Sequence, residues 1–122
     1  FAVADTAIAG RYGDALIALR HALASGADPV PLVAAVAMKV RTMARVAGSR
    51  ESSGALAARL GMKDWQVDRA RRDLVGWSQT TLGMAIHAVA RADSEVKGAS
   101  RDPVFALERM ITVIATRTPF GD

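Results

Sequence analysis

The sequence predicts an all-α fold, a single compact bundle of about seven helices. Three observations carry this. Ala accounts for 25 of the 122 residues while aromatic residues are 5%, a composition that favours closely packed helices over a pleated sheet. Apolar residues recur at three- and four-residue spacing, and no window alternates in the strand manner over more than four residues. Glycines and two Asp-Pro steps, Asp28-Pro29 and Asp102-Pro103, punctuate the chain where helices stop and start.

The first helix spans Phe1–Ala9 and is stopped by Gly10. The second runs from Tyr12 to Ala24, with Tyr12, Leu16, Leu19 and Leu23 on one stripe. Asp28 caps the third and Pro29 takes its first position, because the missing proline N–H would have no helical partner there. That helix reaches about Ala47 and turns Leu32, Val33, Val36, Val40, Met43 and Ala47 inward. Ser53 caps a short fourth helix, Gly54–Leu60, and Asp64 caps a fifth, Trp65–Val75. Ser78 or Thr80 opens a sixth that runs to about Lys97, its stripe being Leu82, Ala85, Ile86, Val89, Asp93 and Val96. The seventh follows Asp102-Pro103, carries Val104, Leu107, Ile111 and Ile114 on one face and ends near Thr116, leaving Pro119 and Gly121 in a frayed tail.

Several functions are excluded early. There is no Cys, so no disulfide, thiolate zinc site or cysteine nucleophile exists. His21 and His87 are far apart and outside any ligand-spaced cluster, so no metal is expected. No phosphate-cradling glycine loop, dinucleotide fingerprint, zincin motif or nucleophile elbow occurs, so no catalytic residue and no cofactor are expected. The longest uncharged run, Leu74–Ala90, contains Ser78, Gln79, Thr80, Thr81 and His87 and cannot span a bilayer. The acids read as caps or as i,i+4 partners of basic residues: Asp68 with Arg72, Arg91 with Glu95, Asp93 with Lys97.

Net charge is +4, and residues 39–59 alone sum to +4, so the basic surplus is local. On the third helix Arg41 and Arg45 lie away from the apolar stripe and share a face with Met38, a mixture that suits a protein contact. Phe105 is a further interface candidate, and Trp77 reads as core. Asp93 breaks the sixth stripe. A carboxylate in that position needs a partner: an Arg of another helix or another helix's N-terminus, with Arg109 and the Asp102-Pro103 turn as candidates, and the pair Asp93–Arg109 is expected as a buried structural ion pair. Residues Ala55–Leu74 also have helix-turn-helix spacing. A DNA-reading second helix would, however, present Asp64 and Asp68 beside Trp65 at its tip, which repels phosphates. The segment therefore reads as a packing hairpin, with a transcription-factor DNA-binding domain as the alternative.

From Ala55 to Ile114 the chain resembles the C-terminal domain of the bacterial DNA polymerase III delta subunit, a clamp-loader component. The resemblance rests on ALAARLGM, Trp65, Ala70-Arg71-Arg72, Trp77-Ser78, Leu82 with Ala85-Ile86, Ala92-Asp93, Val96-Lys97-Gly98 and DPVFALERMI in that order. Gly10-Arg11, Ala15-Leu16, Leu23 and Asp28-Pro29 are similar in order and spacing further upstream. It implies a helical collar domain over residues 1–122 with no active site, holding a loader ring together for sliding-clamp loading. The implied partners are the gamma/tau and delta-prime subunits through their own collars. The sliding clamp would be reached only through an N-terminal region not in this sequence. DNA contact would be weak, there would be no membrane contact, and the location would be cytoplasmic. A chain beginning at Phe1 rather than Met is expected to be part of a longer protein with an ATPase-like region upstream.

Overall fold

A computed structural model describes residues 2–99 and 102–119. Its helices are α1 (Ala2–Ile8), α2 (Tyr12–Ala24), α3 (Pro29–Val46), α4 (Ser53–Leu60), α5 (Asp64–Asp73), α6 (Gln79–Ser94) and α7 (Pro103–Thr116), and α6 runs on into a π-helical turn, Glu95–Ala99. Among the described residues there is no strand. The expected start at Phe1 and the tail at Gly121 lie outside the described residues.

The two Asp-Pro starts form as the sequence predicts. Asp28 Oδ1 accepts from the Val30 amide at 3.1 Å, and Asp102 Oδ1 accepts from the Phe105 amide at 3.0 Å. Ser78, one of the two residues the sequence offers, caps α6, its Oγ accepting from the Thr81 amide at 3.0 Å, whereas at α4 and α5 the caps sit one residue off. Ser52, not Ser53, caps α4, its Oγ accepting from the Ala55 amide at 3.2 Å. Ser53 is instead drawn to Asp68 and Arg71 across the hairpin, so its hydroxyl is not available to cap. Lys63, not Asp64, takes the cap position of α5, and Gln66 Oε1 reaches back to accept from the Lys63 amide at 2.9 Å. Helix α5 stops at Asp73 rather than Val75, because the Val75 amide turns to the Arg72 carbonyl three residues back, a tight turn that Gly76, at φ +83°, carries away from the helix axis.

Two apolar clusters hold the chain together. The larger joins α1, α2, α3, α6 and α7 through buried residues such as Ile8, Leu19, Val36, Met43, Leu107 and Ile111. Each such aliphatic side chain contributes about 1.5–3 kcal/mol by leaving water. The smaller consists of Val46, Leu56, Ala57, Val67 and Ala70, and it seats the α4–α5 hairpin on the C-terminal end of α3. Leu74 packs against both.

The α6 stripe differs in phase from its sequence pattern. The buried positions are Leu82, Ala85, Val89 and Ala92, spaced 3, 4 and 3, while Ile86 is exposed and Asp93 half-buried at the edge. Rotation onto the small Ala92 lets α6 approach its neighbours and spares Asp93 the desolvation penalty. The expected buried pair Asp93–Arg109 is accordingly not formed. Asp93 pairs with Lys97 one turn on, at 3.0 Å. Arg109 of α7, with a side chain only 8% exposed, meets the Glu95 carboxylate, which also lies 3.6 Å from Arg91. On α7 the buried set is wider than the expected stripe: Leu107, Ile111 and Ile114 are joined by Ala106, Met110 and Val113, whereas Val104 is exposed. On α3 Val46 is buried in place of the expected Ala47.

Candidate partner interface

Helix α3 crosses the middle of the bundle, packing on α6 along one flank and on α1 and α5 along the other. Its exposed residues Met38, Arg41 and Arg45 are divided between two separate grooves. Met38 is 69% exposed and, with Arg45, lines a groove of about 700 Å³ that α3 forms with α1 and α5. Arg41 belongs to the other flank, a groove of about 230 Å³ against α6 that it shares with Ile86 and Asp93. The three residues that the sequence groups on one face are thus divided, Met38 with Arg45 and Arg41 apart from them. Phe105 stands on α7, 47% exposed, with the Arg109 guanidinium 5.4 Å from its ring centre.

The larger groove contains a residue that the sequence analysis does not count among the interface candidates. Trp65, in the first turn of α5, is 59% exposed and stands in the same groove as Met38. A Trp in the first turn, off the Val67–Ala70 stripe, was the available signal. Tryptophan and methionine are among the apolar residues enriched where proteins meet. Arg45 is held at this groove by one contact, its Nη2 donating to the Leu60 carbonyl at 2.6 Å, which satisfies an open acceptor at the C-terminal end of α4.

Beneath lies an ion cluster. Lys39 Nζ, its side chain 14% exposed, sits 2.8 Å from Asp5 and 3.0 Å from Asp73, and Arg69 approaches Asp5 at 3.1 Å. One ammonium therefore ties α1, α3 and α5 together. The hydrogen bond from Lys39 holds the Asp5 carboxyl below the usual carboxylate range, against a smaller opposing effect of burial, with the charges of Lys39 and Arg69 adding to it. A carboxyl depressed in the folded state stabilises it above the unfolded value, near pH 4, and that contribution disappears as pH falls through the lower folded value. The melting temperature of the wild-type chain is accordingly expected to fall more steeply between about pH 5 and 2.5 than that of Asp5→Asn. Parallel curves for the two would show that the cluster adds nothing to acid sensitivity.

Three of the four hairpin arginines, Arg59, Arg69 and Arg71, are engaged with the chain itself, while Arg72 is exposed. Arg71 donates to the Glu51 carbonyl at 2.5 Å and to Ser53 Oγ at 3.1 Å, and Arg69 is engaged with Asp5. Asp68 turns to Ser53 rather than to Arg72. Arg59 pairs with Glu51 at 2.6 Å, and that bond lowers the Glu51 carboxyl and raises the guanidinium. A DNA-reading helix needs such side chains directed outward to phosphates and bases, so the hairpin geometry gives the helix-turn-helix alternative no support. Among the described residues no group of three or more His, Asp or Glu is placed to hold a metal ion, and no helix is long and apolar enough to cross a membrane.

Comparison with known proteins is consistent with this architecture. A sequence model described as DNA polymerase III delta subunit, C-terminal domain, matches residues 1–114. Among solved structures, the Bacillus subtilis DNA clamp loader delta protein (YqeN) superposes with a TM-score of 0.83 at 18% sequence identity. The match covers 96% of this chain and 35% of that one, so the chain spans about a third of the length of the structure it resembles. At that identity the likeness establishes the fold. No curated protein sequence matches the chain.

Proposed function

The chain belongs to the family formed by the C-terminal domain of the DNA polymerase III delta subunit, and from that premise we propose that it is a non-catalytic assembly domain of a clamp loader. The observation that carries the reading is the family match over residues 1–114, and many of the polar side chains are engaged within the bundle. Asp28, Ser52 and Asp102 cap helices; Lys39, Arg69, Arg71 and Arg109 join one segment of the chain to another. What the bundle leaves outside is exposed apolar surface on several helices, including Met38, Trp65 and Phe105. A domain built to stand between two different neighbours needs such surface on more than one side.

The partners on this reading are the other loader subunits, gamma/tau and delta-prime, met through their own collar domains, and the setting is the cytoplasm. Met38, Arg41, Arg45 and Phe105 are the residues proposed to meet them. Size-exclusion chromatography of the full chain mixed with the gamma/tau and delta-prime subunits of the same organism tests the assignment. Co-elution with at least one of them is expected. Separate elution from both, accompanied by duplex DNA binding that weakens steeply with salt, would replace the assembly role with a DNA-binding one.

A further inference from the structure

The groove between α3 and α5 has a composition that selects among partners. Met38 on α3 and Trp65 on α5 stand 69% and 59% exposed in one groove of about 700 Å³. Met62, in the α4–α5 turn, adds further apolar lining. Unbranched thioethers beside an indole make an adaptable apolar surface. Such a surface suits the apolar stripe of a helix laid along it.

The charges in the groove are not equally committed. Asp5 and Asp73 both already bind Lys39, and Asp5 also binds Arg69. Arg45 is different: its one contact among the described residues is the neutral Leu60 carbonyl, and it meets no carboxylate there. A guanidinium has five N–H donors in a fixed fork, so Arg45 is positioned by one bond and keeps donors for an incoming acid. A nucleic acid fits less well, since its phosphates would pass the Asp5 and Asp73 carboxylates and its bases would find a single aromatic ring on which to stack.

We propose that this groove is the docking site for an amphipathic helix of a neighbouring protein in the loader, one that lays apolar side chains on Met38 and Trp65 and offers a carboxylate to Arg45. The inference rests on the clamp-loader assembly reading and adds the surface and the chemistry of the partner to it. Arg45 fixes register and Trp65 provides the central apolar anchor, the division of roles common to interfaces with a buried hot spot.

The test measures binding to the gamma/tau and delta-prime subunits for the full chain as wild type, Trp65→Ala, Met38→Glu and, as a control on an exposed apolar residue of α2, Ile17→Glu. Circular dichroism melting confirms that each variant is folded. Trp65→Ala and Met38→Glu are expected to weaken binding to one of the two partners at least tenfold, while Ile17→Glu matches wild type for that partner. Arg45→Gln is expected to flatten the salt dependence of the same complex. Wild-type binding that all groove variants retain would overturn the groove while leaving the assembly role intact. No wild-type binding to either partner would overturn both. Binding of a labelled single-stranded oligonucleotide that Trp65→Ala abolishes, with protein binding unchanged, would make the groove a nucleic-acid site instead.

Discussion

Glu95→Ala is expected to destabilise the fold by about 2–4 kcal/mol, and Asp93→Ala, two residues away, by less than about 0.5 kcal/mol. The difference follows from where each carboxylate is placed. Asp93 meets Lys97 at 3.0 Å at the edge of the bundle, its side chain 39% exposed and that of Lys97 58%, and pairs open to solvent in this way contribute little. Glu95 opens the π-helical turn at the end of α6, and its carboxylate faces Arg109, whose side chain is 8% exposed. Removing Glu95 takes a compensating charge away from a guanidinium that is already largely desolvated, which costs more than the pair itself contributes. The lower part of the usual range is expected because Glu95 remains 25% exposed and water can reach the site. Replacing both partners by apolar residues, Glu95→Leu with Arg109→Met, is expected to restore most of the loss, since neither charge then has to be desolvated. Urea unfolding of these variants decides the matter: equal costs for Glu95→Ala and Asp93→Ala would show that the π-turn pair has no special weight.

The same pair shows what the sequence can and cannot convey. A carboxylate near the end of the α6 stripe and an Arg on α7 pointed to an ion pair between these helices, and one exists. Its identity was hidden because Leu82, Ala85 and Val89 are compatible with two helical phases, one burying Asp93 and one burying Ala92. The choice depends on the close approach of α6 to α3 and α7, which is a tertiary effect. The extra residue of the π-turn then shifts the phase again just where Glu95 is presented. Local signals were more reliable: the Asp-Pro starts, the Gly10 stop after α1, and the bounds of α2 were legible because they depend on a few neighbouring residues. The interface candidates were legible as residue types and not as a surface. Helical spacing places Met38, Arg41 and Arg45 on one face, but α6 packs on one flank of α3 and α1 with α5 on the other, so that face is split. Trp65 joins Met38 through packing between residues far apart in the chain, which no spacing rule reports.

Gly10→Ala is expected to cost about 2–3 kcal/mol, more than a glycine in a turn ordinarily costs, because two penalties coincide there. Gly10 follows α1 at φ +80°, a conformation that disfavours any residue with a Cβ by about 1–2 kcal/mol. A Cβ built at that position would also lie 2.7 Å from Arg117 Nη1. The end of an arginine would normally move aside, but Arg117 is fixed in several ways. Its Nη2 donates to the Ile8 carbonyl at 2.6 Å, Nη1 donates to the Ala115 carbonyl at 3.2 Å, and the guanidinium lies 4.0 Å from the centre of the Trp77 ring. Trp77 Nε1 donates to the same Ile8 carbonyl at 3.2 Å, so one acceptor at the end of α1 binds the α5–α6 connection and the end of α7 together. Burial pulls the Arg117 guanidinium below its ordinary value without discharging it, which is why it needs these partners. The two penalties separate in a double-mutant cycle. In an Arg117→Ala background the steric part is gone, and Gly10→Ala is expected to cost only the backbone part, about 1–2 kcal/mol. An identical cost in both backgrounds would mean that Arg117 yields freely and that the closure of the bundle at this end does not depend on it.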